Sequence, residues 1–218
     1  MPPADGTVER ALRAFTAAMV GEIAHELSNR FATMRETVGL LEDLARAGKA
    51  GAGGTARAHA ALDDQVGRAL NIVRSLGSLG VALGAGAGAG AFDAGALVGE
   101  LLALTERWAR RLSVHVERDI AGRLPLAAGD PAVFLCLAHR LLVRCAGDGE
   151  AGRGVRVRVE RDGDGVAVRL VPTGAHAAGA AAPAADEEQI DRELAAQLGG
   201  TLTLDGGGAA ALRLAAVL

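Results

Sequence analysis

Residues 12–41, LRAFTAAMVGEIAHELSNRFATMRETVGLL, place apolar side chains at Leu12, Phe15, Met19, Ile23, Leu27, Phe31, Met34, Val38 and Leu41. Steps of three and four residues keep one side of an α-helix apolar. The stretch lies in a run from Thr7 to about Ala47 that contains no Pro and only two Gly, Gly21 and Gly39, so one long amphipathic helix is predicted. Downstream, residues 48–55 read as a Gly-rich turn, after which Leu62, Val66, Ala69, Val73, Leu76 and Leu83 repeat the same spacing and predict a second helix. Two such helices joined by a short turn form an antiparallel hairpin, which cannot cover its own apolar stripes. Two copies can, as a dimeric four-helix bundle over residues 7–84.

Further out the pattern changes. A Gly-Ala linker is predicted at residues 85–92, and residues 93–218 mix helix and strand. Asp93 is placed to cap a helix running to about Arg111, with Leu97, Leu101, Leu104 and Trp108 on one face. Residues 114–120 alternate as a strand does, and Asp130-Pro131 opens another helix with Pro at its first position. Val155 to Glu160 and Val166 to Val171 alternate again, joined by Asp162-Gly163-Asp164-Gly165, a hairpin signal. An Ala/Gly loop at 174–185, a helix from Asp186 to Leu198 and a hairpin of Thr201–Leu204 with Ala210–Val217 complete the chain. The predicted second domain is an α+β sandwich with helices on one face of a mixed sheet.

Composition narrows the partners. The 218 residues carry a formal net charge of −3, aromatics are 2%, and Tyr is absent, so neither an electrostatic footprint for DNA or anionic lipid nor stacking platforms for single strands are present. Nucleic acid and membrane are excluded as expected partners. Cys136 and Cys145 are the only cysteines, too few for a disulfide framework and consistent with a reducing compartment. The start lacks the basic-then-apolar order of a signal peptide, so the cytoplasm is the expected location. The uncharged stretch from Ser75 to Phe92 reads as a helix end plus Gly-rich linker rather than a membrane span.

Within the first helix, Ile23-Ala24-His25-Glu26-Leu27-Ser28-Asn29-Arg30 resembles the phospho-acceptor box of bacterial sensor histidine kinases, with Arg30 where that family usually has Pro. The second domain resembles the family's ATP-binding (Bergerat) domain in its order of elements, including Arg123-Leu124-Pro125, Gly129-Asp130-Pro131 and Leu198-Gly199-Gly200. The departures are informative. Arg144 stands where an active kinase has the Asn that helps hold Mg²⁺. Pro172-Thr173-Gly174-Ala175-His176 stands where the family has Asp-X-Gly-X-Gly, and the lid is reduced to residues 177–185 with Gly179 alone. The combination resembles the kinase-like histidine phosphotransferases of the ChpT type. That resemblance implies a phosphorelay function: His25 relays a phosphoryl group between receiver-domain aspartates without ATP, with no cofactor on this chain and Mg²⁺ in the receiver. The implied partners are response-regulator receivers, an upstream hybrid kinase and a second copy of the chain. The alternative is a non-catalytic, pseudo-kinase docking module.

At about 100° per residue, Leu27, Met34, Val38 and Leu41 centre the apolar stripe roughly 180° from His25, so this histidine is predicted to be exposed. Gly21, Glu22, Asn29, Ala32, Thr33 and Glu36 lie beside it and are mostly small or short, which suits close approach of a partner domain. Glu26 is read either as the acceptor that orients the His25 ring or as a solvated glutamate. Asn29, one turn on, is read either as a residue positioning water for dephosphorylation, as the resemblance implies, or as plain surface. Cys136, His139 and Cys145 are not read as a metal site, because the cysteines fall on nearly opposite sides of a helix and no fourth ligand is near; the cysteines are read as small buried core thiols.

Overall fold

The computed structural model describes residues 5–48, 51–84, 90–147, 153–174, 185–205 and 208–217. Helix α1 spans Asp5–Arg46 without interruption at Arg30, and α2 spans Ala52–Gly84, which shortens the predicted turn to the residues before Ala52. Strand β1 (Gly90–Phe92) takes the last three residues of the predicted linker and pairs antiparallel with β3 (Ala127–Gly129). Residues 85–89 of that linker, and 175–184 of the Ala/Gly loop with His176 and Gly179, lie outside the described residues.

Helix α3 (Ala94–Arg111) begins as its cap dictates: the Asp93 carboxylate accepts from the Ala96 N–H at 2.9 Å. Helix α4 (Pro131–Ala146) begins the same way, Asp130 accepting from the N–H groups of Ala132 (2.8 Å) and Val133 (3.4 Å) with Pro131 at the first helical position. Strands β2 (His115–Ile120), β4 (Gly154–Asp162), β5 (Gly165–Thr173), β6 (Thr201–Leu204) and β7 (Ala210–Leu214), with α5 (Ala185–Gln197), complete the sandwich. The sheet order is β2-β4-β5-β7-β6, with β2 parallel to β4 and every other pair antiparallel.

Alternation assigns the two sheet faces. Val155, Val157, Val159, Val166, Val168, Leu170, Leu212 and Leu214 are buried under the helices. The opposite face carries cross-strand ion pairs, Arg156 to Glu117 at 2.7 Å, Arg158 to Asp119 at 2.6 Å and Arg169 to Glu160 at 2.6 Å. The β4–β5 loop is Gly163-Asp164, with Gly163 at φ 60° in the Gly-first position of a type II′ turn. At Gly165 a Cβ would sit 2.2 Å from the Leu214 carbonyl oxygen, so the close approach of β7 requires glycine there.

Helix α4 is the centre of the core: Phe134, Leu135, Leu137, Leu141 and Leu142 are fully buried. The sheet covers one side of it and the helical hairpin another. Val8, Phe15, Met19 and Ile23 of α1 and Leu79 and Ala82 of α2 join the same apolar cluster, and the Phe15 ring packs against His139 at 5.4 Å between centroids. The spacing predicts that a second copy covers both hairpin stripes; within the chain, however, Val8, Phe15, Met19 and Ile23 of α1 and Leu79 and Ala82 of α2 are already buried, so part of each stripe is covered without one. Val20, Phe31 and Val38, at steps of eleven and seven residues on one side of α1, stay exposed, as do Val66, Leu70, Val73 and Val81 on α2.

Candidate functional site at the α1–α3 crossing

His25 is exposed, as its position opposite the apolar stripe requires. Glu22, His25, Glu26 and Asn29 stand at i, i+3, i+4 and i+7 and therefore share one side of α1. That side meets α3. Leu104 of α3 lines a cleft with Ile23 of α1 and Ile72 of α2, and Arg107 and Arg111, three and seven residues further along α3, follow on the same side.

The result is a ladder in which acidic groups one turn apart on α1 meet arginines one turn apart on α3, in opposite chain direction. Glu22 pairs with Arg111 at 3.1 Å, and Glu26 with Arg107 at 3.2 Å. The Arg107 guanidinium also donates to His25 Nε2 at 2.9 Å. With its side-chain amide turned so that oxygen faces the guanidinium, Asn29 accepts from Arg107 at 2.6 and 2.7 Å. A cleft of about 410 Å³ opens beside these groups, lined by Glu26, Asn29, Arg30, Thr33, Arg107 and Arg110 among others.

Glu26 differs from its expected part. Its side chain is only 14% exposed, and its carboxylate is taken by Arg30 (2.5 Å) and Arg107. No direct hydrogen bond joins Glu26 to the His25 ring among the described residues; adjacent residues on a helix point about 100° apart, and Arg107 bridges the two. Arg30 in turn donates to Gln65 of α2 at 3.0 Å and ties the hairpin together.

Of the expected partner-facing residues, Gly21, Thr33 and Glu36 are exposed, Ala32 is half-buried, and Glu22 is half-buried under Arg111. A Cβ added at Gly21 would meet nothing within 4 Å, so the flank of His25 turned away from α3 is open. Sequence reasoning missed Arg107. Its signal, the run Glu106 to Arg111 at the end of α3, reads locally as basic residues answering the helix dipole.

The second region of interest lies between α4 and α5. Arg144 forms an ion pair with Asp191, whose side chain is 1% exposed, and Arg140 donates to the same carboxylate at 2.6 Å and to the Glu187 carbonyl at 3.3 Å. Burial pushes the Asp191 carboxyl above its usual range, against the pull of Arg140 and Arg144. Pro172 is half-buried near the end of β5, opposite Val155 of β4.

Cys136 and Cys145 are free, buried thiols, each pushed up to about 12 by desolvation. Among the described residues no group of three or more His, Cys, Asp or Glu is placed to hold a metal ion, and no helix is long and apolar enough to cross a membrane.

No protein-family model matches the chain, and no curated protein matches it. Among solved structures it is similar to the Acinetobacter baumannii histidine kinase AdeS, at 16% identity over 87% of this chain and 95% of that one, with a TM-score of 0.43. It is similar to a bacterial phosphotransferase at 14% identity over 91% of this chain and 94% of that one, with a TM-score of 0.44. With the catalytic domain of the histidine kinase ThkA it shares 13% identity over 58% of this chain and 93% of that domain, with a TM-score of 0.47.

Proposed function

We propose that this chain is a histidine phosphotransferase of a cytoplasmic two-component phosphorelay, acting as a homodimer and without ATP. The observation that carries the reading is the presentation of His25: an exposed imidazole whose Nε2 lies 2.9 Å from the Arg107 guanidinium, beside a flank of small residues at Gly21, Ala32 and Thr33. In the transfer, the Arg107 N–H gives up the Nε2 lone pair, which attacks the phosphorus of a receiver's aspartyl-phosphate and forms the N–P bond. The P–O bond to the aspartate breaks, and its electron pair leaves with the carboxylate. The proton on Nδ1 stays in place, so the ring becomes an imidazolium bearing the phosphoryl group and no base is needed. The reverse step delivers the group to a second receiver, which supplies its own Mg²⁺. Both species are high in energy, so positioning is this chain's main contribution.

Two observations support independence from ATP. The Arg144 guanidinium, at the position where an active kinase has its Mg²⁺ ligand, is committed to buried Asp191, and Pro172 offers no side-chain acceptor for an adenine amino group. The exposed apolar residues Val20, Phe31 and Val38 on α1 and Val66, Leu70 and Val73 on α2 support the dimer, since a soluble monomer seldom leaves such a stripe uncovered.

The test is to incubate the chain, without nucleotide, with phosphorylated receiver domains from the same cell. Acid-labile phosphate on the native chain and none on His25→Ala is the expected result. His25 is exposed, so its removal leaves no cavity and the variant stays folded. Uptake by His25→Ala overturns the assignment, and no uptake by the native chain favours the docking module.

A further inference from the structure

We infer that Arg107, contributed by α3 of the sheet domain, is a further catalytic residue: it fixes the tautomer of His25 and becomes the counter-ion of the phosphoryl group once Nε2 carries it. The inference rests on the carrier role proposed for His25. A guanidinium has only donors, so its 2.9 Å contact makes Nε2 the acceptor and leaves the ring proton on Nδ1. This is the less common tautomer of a free neutral imidazole, and it is the one that presents the outer nitrogen as a nucleophile. No base in the site is needed to clear a proton from Nε2.

Arg107 is itself held. Glu26 pairs with it at 3.2 Å and Asn29 accepts from it at 2.6 and 2.7 Å, so the guanidinium is fixed beside the ring by two residues of the same helix face. When Nε2 takes the phosphoryl group, the lone pair that Arg107 had engaged is used in the new N–P bond. The same N–H groups then face phosphoryl oxygens, the ligand that the planar fork of arginine matches best. Glu26 and Asn29 thereby act on His25 through Arg107.

The test uses the full chain with ¹⁵N-labelled histidine and a small-molecule donor, phosphoramidate, so that no receiver is required. His25 signals are assigned by their absence in His25→Gln. The native chain is expected to show the Nδ1–H pattern. Arg107→Ala reverts it toward Nε2–H and shortens the lifetime of phosphorylated His25 on the order of tenfold, while Arg107→Lys lies between. Arg111→Ala, which breaks the neighbouring α3–α1 ion pair without touching the ring, keeps the native tautomer and so separates this role from docking of α3. An Nε2–H pattern in the native chain, or an unchanged tautomer and lifetime in Arg107→Ala, overturns the inference. So does faster uptake by Arg107→Ala at unchanged lifetime, which would make the guanidinium a cover over the nucleophile. The tautomer measurement needs no phosphoryl donor, so it stands apart from any failure of receivers to phosphorylate His25.

Discussion

Acidification is expected to loosen the seat of the helical hairpin on the sheet domain, through His139. This residue sits on α4 with its ring tilted 52° against Phe15 of α1, and its pKa is lowered from 6.5 to about 4, first by desolvation and then by the charge of Arg140. In the unfolded chain the imidazole titrates at its ordinary value. Between these values the unfolded state therefore binds more protons than the native state, and stability falls as pH falls. The contribution is fully present above pH 6.5, costs about 2 kcal/mol by pH 5, and reaches about 3 kcal/mol below the folded pKa, at 1.36 kcal/mol per unit. Carboxylates titrate in the same range, so the informative quantity is the difference from His139→Phe, which keeps a ring against Phe15 and removes the titration. Urea unfolding of both proteins at steps from pH 7.5 to 5 measures it. Native stability should drop relative to the variant by about 2 kcal/mol over that interval. Curves that run parallel within about 0.5 kcal/mol would refute the argument that His139 is held neutral by burial.

Three other outcomes follow from named contacts. Asp191→Ala leaves Arg140 and Arg144 without their shared buried carboxylate and should lower stability by about 3–5 kcal/mol in urea unfolding; a loss under about 1 kcal/mol contradicts the pairing. Phe31 is 59% exposed in the single chain, so Phe31→Asp should leave helical content unchanged while shifting sedimentation from dimer to monomer; an unaltered dimer places the interface elsewhere. Titration calorimetry with Mg-ATP should show no binding in the micromolar range, and clear binding would restore an ATP-dependent kinase.

The helices and their starts were legible because each rests on local chemistry: the three-and-four spacing of α1, and the carboxylates of Asp93 and Asp130 that accept from N–H groups two or three residues on. The β4–β5 hairpin was legible from the run Asp162-Gly163-Asp164-Gly165 between alternating strands, in which Gly163-Asp164 forms the turn. Strands β1 and β3 were not, because each has three residues and Gly90-Ala91 continues a Gly-Ala run with no alternation to read. The docking of the hairpin was hidden for a different reason. A periodic stripe says that a face is covered, but not by which element, and Phe15 and Met19 serve α4 and its neighbours while Phe31 stays exposed. At the site, exposure of His25 followed from helix geometry, whereas Arg107 is 82 residues away and meets the ring only through the packing of α3. Of the two readings of Glu26, direct contact with His25 runs against the angle between adjacent helical residues and full solvation against its burial under Arg30 and Arg107; the arginine spans the gap to the ring.

If His25 is the carrier, a phosphoryl group passes through it from one receiver aspartate to another. A nucleotide-free chase tests it most directly: a donor receiver carrying labelled aspartyl-phosphate is mixed with this chain and a second receiver, and label is followed in all three with peptide mapping of the chain. Label is expected first in the peptide containing His25, as acid-labile phosphate, and then in the second receiver, with neither step in His25→Ala. Label that reaches the second receiver without passing through His25, or a native chain that never carries label, contradicts it.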